Sequence, residues 1–204
     1  MEEDVTQLTC PSLDESRLVG GEYGFEARYC AYYCEENIWQ LCERLRSRCD
    51  RAAVCVVSSR QQRVAMWRQQ AAAAAGLPVV WDYHVVMACR RPAQRWEIID
   101  LDSLLPRPVD AVAYLDATFP RGHRVPAELT PMFRWIDAEQ YRDILRSDRR
   151  HMRDAEGRFR RPPPPWPAIG QQGTRGSNLA LLTDMSQQTV GELVDLATLR
   201  RLVG

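Results

Sequence analysis

The chain has 204 residues with 27 basic and 27 acidic side chains, so its formal charge is zero and nothing in that balance argues for nucleic acid or an anionic membrane as partner. No run approaches the roughly 18–20 apolar residues of a membrane span, and the acidic start Met1-Glu2-Glu3-Asp4 lacks the apolar stretch of a secretory signal. All 27 basic residues are arginine, which excludes a Schiff-base lysine and a P-loop lysine.

The polar, aperiodic residues 1–22 read as an arm. Residues 23–204 are expected to form a single domain, large enough to stand without disulfides or metal. After Cys34, the residues Ile38, Leu41, Cys42 and Leu45 recur at helical spacing, with Glu35 and Glu36 in the first turn, where negative charge suits the helix dipole. A buried strand follows at Ala53 to Val57, then a short apolar segment around Val64 to Trp67. The run Ala71–Ala75 reads as a loop insertion.

Two strands come next, Val79 to Cys89 and Arg95 to Leu101, joined around Arg91-Pro92-Ala93. A helix is expected near Asp137, with Gln140 three residues on and Tyr141, Ile144 and Leu145 on one face. Pro162–Pro165 and Pro167 should form a stiff extended strap packed across the domain, leading into a loop at 170–178. A Thr189–Glu192 capping box followed by Leu193, Leu196, Leu199 and Leu202 predicts a last helix.

Scarcity narrows the chemistry. Of three histidines, His123 and His151 sit in polar or charged stretches, while His84 lies in an otherwise apolar strand. A hairpin with loop 91–93 sets His84 opposite Asp100, and one with loop 92–94 sets it opposite Asp102. Either puts a carboxylate about 5 Å away between Cβ atoms, able to fix the imidazole tautomer. Cys34 precedes the first helical turn, where free N–H groups favour a thiolate. Cys42, Cys55 and Cys89 read as inert packing, and Cys10, Cys30 and Cys49 have no activating context. Seven cysteines, an odd number, are expected to be reduced thiols in the cytosol or nucleus. Their spacing lacks the paired knuckles of a zinc site, so no metal or other cofactor is expected.

The order Cys, His, Asp, on a helix start and two neighbouring strands, is papain-like or transglutaminase-like. At this point the residues resemble the protein N-terminal glutamine amidohydrolases. The likeness lies in Tyr33-Cys34-Glu35-Glu36-Asn37-Ile38-Trp39 with Leu41-Cys42, in Trp81-Asp82-Tyr83-His84-Val85, and in Asp100-Leu101-Asp102 with Leu105-Pro106. It continues at Ser147-Asp148-Arg149, His151-Met152 and Pro162–Pro165.

The resemblance implies an α/β fold, a papain/transglutaminase-like α-β-α sandwich with a largely antiparallel central sheet. It implies a monomer and a catalytic triad of Cys34, His84 and Asp100. The activity implied is conversion of a protein's N-terminal glutamine to glutamate with release of ammonia, through a thioester. Such an enzyme would sit in the cytoplasm and nucleus, feed the arginine branch of the N-degron pathway, and take proteins or peptides with a free N-terminal Gln as partners, without nucleic acid or membrane. The free α-ammonium calls for a buried carboxylate or a ring of carbonyls; among carboxylates Glu35 and Asp102 lead, with Glu36, Asp82 and Asp148 behind. A transglutaminase-like or papain-like acyl transferase or peptidase, and a non-catalytic reader of protein N-termini, are the alternatives.

Overall fold

Side-chain alternation along two paired strands decides the layering. In the computed structural model, which describes residues 27–170 and 176–204, β1 (Arg51–Ser58) pairs with β4 (His84–Arg90) on one side and β7 (Met132–Asp137) on the other. Val54 and Val56 of β1 join Val85 and Met87 of β4 on one face, while Ala53, Cys55 and Val57 join Val86 and Ala88 on the other. Helices cover both faces, so the strands read as continuous apolar runs.

The full sheet has six antiparallel strands in the order β6-β5-β4-β1-β7-β8, with β5 at Trp96–Ile99, β6 at Val109–Asp110 and β8 at Glu192–Asp195. Helix α1 (Cys34–Leu45) lays Ile38, Leu41, Cys42 and Leu45 on the first face. Beside it lies α3 (Ala138–Ile144), capped by Asp137, whose carboxylate accepts the Glu139 and Gln140 N–H groups. On the second face lie α2 (Ala111–Thr118) and α5 (Leu196–Val203). The protein is therefore an α/β sandwich of the expected kind. Among the described residues, no helix is long and apolar enough to cross a membrane. The arm at 1–22 and part of the loop at 170–178 lie outside the described residues.

Three expectations need correction. The single strand Val79 to Cys89 is two strands: β3 (Val79–Trp81) pairs with β2 (Val64–Met66) in a separate small sheet, and β4 starts at His84. The chain bends at Asp82-Tyr83, where the Asp82 carboxylate accepts the Tyr83 N–H and the Ser58 hydroxyl donates to the Asp82 carbonyl.

Secondly, Thr189–Glu192 caps nothing. Residues 192–195 form β8, the edge strand that pairs with β7, and the cap of α5 is Asp195, which accepts the Thr198 N–H. Gly191 makes this turn possible: it has φ +66, and a Cβ there would stand 2.3 Å from the Trp135 carbonyl oxygen. Leu199 is buried but Leu202 is exposed, so the leucine spacing spans a strand and a helix.

Thirdly, Cys49 and Cys89 are a disulfide, with Cα atoms 5.8 Å apart, and not two free thiols. Cys49 follows α1, and the Asp50 N–H donates to the Arg90 carbonyl, so the end of the helix meets the end of β4. The bond closes a loop with a sequence separation of 40, for which the chain-entropy argument gives about 3–4 kcal/mol. Cys49→Ser should therefore lower the unfolding temperature by several degrees, and dithiothreitol should do the same to the wild type while leaving the variant unmoved. Equal melting curves for oxidised and reduced wild type would show that the bond contributes nothing to stability.

Candidate active site

The segment before α1 is fixed by its own backbone. The Asn37 side chain accepts the Cys30 N–H and donates to the Cys30 carbonyl, both at 2.8 Å, and Tyr32 takes a left-handed φ of 71. That turn delivers Cys34 as the first residue of α1, buried but opening on a cleft. Burial pushes its thiol up to about 11, with the charges of Glu35 and Asp102 adding to the rise. A hydrogen bond and charge from His84 work the other way. The helix start alone does not produce a thiolate here. A group able to accept the proton stands beside it.

That acceptor is His84, also the first residue of its element. Its Nε2 meets Asp100 Oδ1 at 2.8 Å, which leaves Nδ1 to face Cys34. Trp81 stacks on the imidazole at 5.6 Å and 16°. Burial alone would lower the pKa of His84, but the charge and hydrogen bond of Asp100, with Cys34 beside them, hold it well above the usual imidazole range.

Asp100 reaches His84 by a route the hairpin argument did not foresee. The strands pair as Met87↔Ile99 and Arg90↔Trp96, the register of loop 92–94, which formally sets Asp102 opposite His84. The loop 91–93 register is thus overturned. Pro92 takes the second position of the turn and Ala93 the left-handed third, while the Gln94 N–H donates to the Arg91 carbonyl. Pairing stops at Ile99, and the chain turns, with the Ser103 N–H donating to the Asp100 carbonyl. This brings Asp100 back under the imidazole.

Every lone pair of Asp100 is used. Oδ1 also accepts the Asp102 N–H, and Oδ2 accepts Gln69 Nε2 at 3.1 Å and the Tyr114 hydroxyl at 2.8 Å. Burial would raise its pKa, yet His84 and these donors hold it below the ordinary value. Nothing in the sequence marked Gln69. Tyr114 had one signal, a phenol in an apolar helix, which must find a partner when buried.

The other acidic candidates separate cleanly. Asp102 lines the cleft and accepts the Tyr29 hydroxyl at 2.6 Å; burial raises its pKa. Asp82 also lines the cleft. Glu35 is fully buried beneath it: Oε2 accepts the Tyr83 hydroxyl and lies 3.9 Å from Cys34 Sγ. Glu36, also fully buried, forms a bidentate pair with Arg149 and accepts Trp166 Nε1 at 2.8 Å. Neither glutamate is simply a dipole complement at the helix start. Asp148 pairs with Arg150, away from the cleft.

The proline strap packs as expected: Arg149 donates to the Pro164 and Trp166 carbonyls. Arg149 is left-handed and opens the short turn Arg150–Met152, which sets His151 and Met152 on the cleft wall. His151, which the sequence sets in a charged stretch, has its Nε2 3.4 Å from Glu35 Oε1.

The cleft holds about 260 Å³, near the lower end of ligand pockets, which run from about 300 to 1,000 Å³. Among the described residues, the group geometrically able to hold a metal is His84, Asp100 and Asp102. Its donor atoms are already committed to one another and to Tyr29, Gln69 and Tyr114.

The model of a family described as N-terminal glutamine amidase matches residues 29–203. The chain is similar to the protein N-terminal glutamine amidohydrolase of Homo sapiens, 37% identical over 145 residues, which are 69% of this chain and 70% of that one. Its counterpart in Drosophila ananassae is 35% identical over 171 residues, 82% of each chain. That of Drosophila willistoni is 38% identical over 148 residues, 71% of this chain and 72% of its own.

The electrostatics can be read directly. In an NMR titration, the His84 imidazole should protonate at a pH well above the ordinary value of about 6.5. Asp100→Asn removes the charge that raises it, so the midpoint should fall. A midpoint that stays in place would mean that Asp100 does not set the charge state of His84.

Proposed function

This chain belongs to the N-terminal glutamine amidase family, a family of hydrolases acting on amide bonds, and we propose that it converts the N-terminal glutamine of proteins to glutamate using Cys34, His84 and Asp100. The observation that carries this reading is one imidazole held between a saturated carboxylate and a thiol, at the end of a small cleft.

His84 takes the Cys34 proton and the sulfur attacks the carboxamide carbon. The Cys34 N–H, at the start of α1, is one donor for the oxyanion. His84 then protonates the departing nitrogen, ammonia leaves, and a γ-glutamyl thioester remains. Water, deprotonated by His84, adds to that carbon and releases Cys34. Asp100 keeps Nε2 occupied throughout, so Nδ1 does the proton transfer.

The α-ammonium is read by Asp102, which lines the cleft beside the imidazole. Glu35, the other leading candidate, has no surface on the cleft. A cleft of this size suits one residue and its terminus, which favours a chain end over an internal glutamine. The Cys49–Cys89 disulfide removes the argument from reduced thiols; on the family likeness alone we place the monomeric enzyme in the cytoplasm and nucleus, where its product would enter the arginine N-degron pathway.

Ammonia release from a Gln-initiated peptide tests this. Activity should vanish in Cys34→Ala, with the fold intact, and should be low on Asn-initiated peptides and absent when the amine is acetylated or the glutamine is internal. Equal rates on internal glutamine would favour a transglutaminase-like acyl transferase. Binding without ammonia release would leave a reader of N-termini.

The two aspartates should separate kinetically. Asp100→Asn should lower kcat by about 10³–10⁴, as loss of the orienting carboxylate does in other triads. Asp102→Asn should act mainly on KM, because it loses a contact to the substrate's amine. A dead Asp102 variant beside an active Asp100 variant would reverse the two roles.

A further inference from the structure

Glu35 is a buried carboxylate against the nucleophile for which the reaction has found no use. Tyr83 donates to its Oε2, Tyr141 donates to its backbone carbonyl, and Oε1 accepts no hydrogen bond. His151 Nε2 lies 3.4 Å from Oε1. Packing does not require a charge here, since a glutamine would fill the space and still accept from Tyr83. The charge even works against the first chemical step, because it raises the Cys34 pKa. What it can serve is a later step.

We infer that Glu35 is a specificity-determining residue whose negative charge disfavours a γ-carboxylate at the acyl position, so that the site holds the neutral carboxamide and expels the glutamate product. The inference rests on the deamidation reading above. In the last step, water adds to the thioester carbon, the C–S bond breaks, and sulfur keeps the electron pair and recovers a proton. The new γ-carboxyl group ionises where the carboxamide stood. Its carbon was bonded to Sγ, and Sγ is 3.9 Å from Glu35 Oε2. Two like charges about 5 Å apart, at an effective dielectric constant of about 20, repel strongly enough to change affinity by about a hundredfold. The neutral carboxamide feels none of this.

The other charges of the cleft do not supply the same discrimination. Asp102 and Asp82 share the sign of Glu35, but the substrate's ammonium neutralises that side in both substrate and product. His84 and Arg160 face the cleft with the opposite sign and soften the effect. For this reason the expected discrimination is set lower, at tenfold or more.

The test uses two peptides that differ only in beginning with Gln or Glu. In Cys34→Ser at pH 8, calorimetry should show the Gln peptide binding at least tenfold tighter. In Cys34→Ser/Glu35→Gln the gap should close to within about threefold, through tighter binding of the Glu peptide, with the Gln peptide unchanged. In enzyme that keeps Cys34, Glu35→Gln should lower the inhibition constant of the Glu peptide by the same factor.

A gap that persists in the double variant overturns the inference. So does weaker binding of both peptides, which would make Glu35 the reader of the ammonium. If Glu35→Gln fails to fold, equal affinities of the two peptides for Cys34→Ser alone overturn it. Failure of the wild type to release ammonia from the Gln peptide would instead bring down the deamidation reading itself, and this inference with it.

Discussion

The buried pair of Glu36 and Arg149 is the constraint on which the rim of the site depends. Neither side chain can stay there alone, because an unpaired charge out of water costs several kcal/mol. Arg149 uses two nitrogens on Glu36 and spends its remaining donors on the Pro164 and Trp166 carbonyls, while Trp166 returns a bond to Glu36. One guanidinium thereby ties the first turn of α1, the proline strap and the Arg150–Met152 turn together. Cys34 stands two residues before Glu36, and His151 two residues after Arg149. Their separation across the cleft is set by a contact that touches neither.

A second cluster does the same for His84 and Asp100. Here the donors come from elements distant in sequence: Gln69 after β2, Tyr114 from α2, and the Asp102 backbone. Asp100 lies among apolar layers, where a bare carboxylate would be protonated. Three donors and the imidazole keep it charged, and its charge in turn keeps His84 basic. The small sheet of β2 and β3 belongs to this arrangement, since it brings Trp81 over the ring and starts the chain that ends at Gln69.

Much of this was legible from one sequence because it depends on local pattern. The stripe of α1, the buried strand β1, the Asp137 cap and the candidacy of His84 each follow from spacing within a few residues. Asp100 meets His84 although the strands take the register that formally favours Asp102. Period-two alternation puts residues 100 and 102 on one face, so a slip of two leaves the same carboxylates facing the imidazole, and only the end of the pairing at Ile99 decides between them. The disulfide was illegible for a different reason: Cys49 and Cys89 become neighbours only when α1 lies along β4. Leu193 to Leu202 misled because i, i+3 spacing takes no account of Gly191, whose close approach to Trp135 turns the chain into a strand first.

Cys34 and His84 share a structural position that explains how one site can be both stiff and open. Cys34 is the first residue of α1 and His84 the first of β4. A side chain at the start of an element inherits the element's rigidity through the residues that follow, yet the residues before it need not continue the layer. The preceding turns, at Cys30–Tyr33 and at Asp82–Tyr83, leave the sandwich and form walls of the cleft. Distal to the site, the Cys49–Cys89 bond fastens the same helix to the same strand. The helix and strand are therefore fixed to each other at both ends, by thiol and imidazole at one and by a disulfide at the other. Small errors in their relative slide, which would separate Cys34 from His84, are resisted at a point where no catalytic group has to be spent.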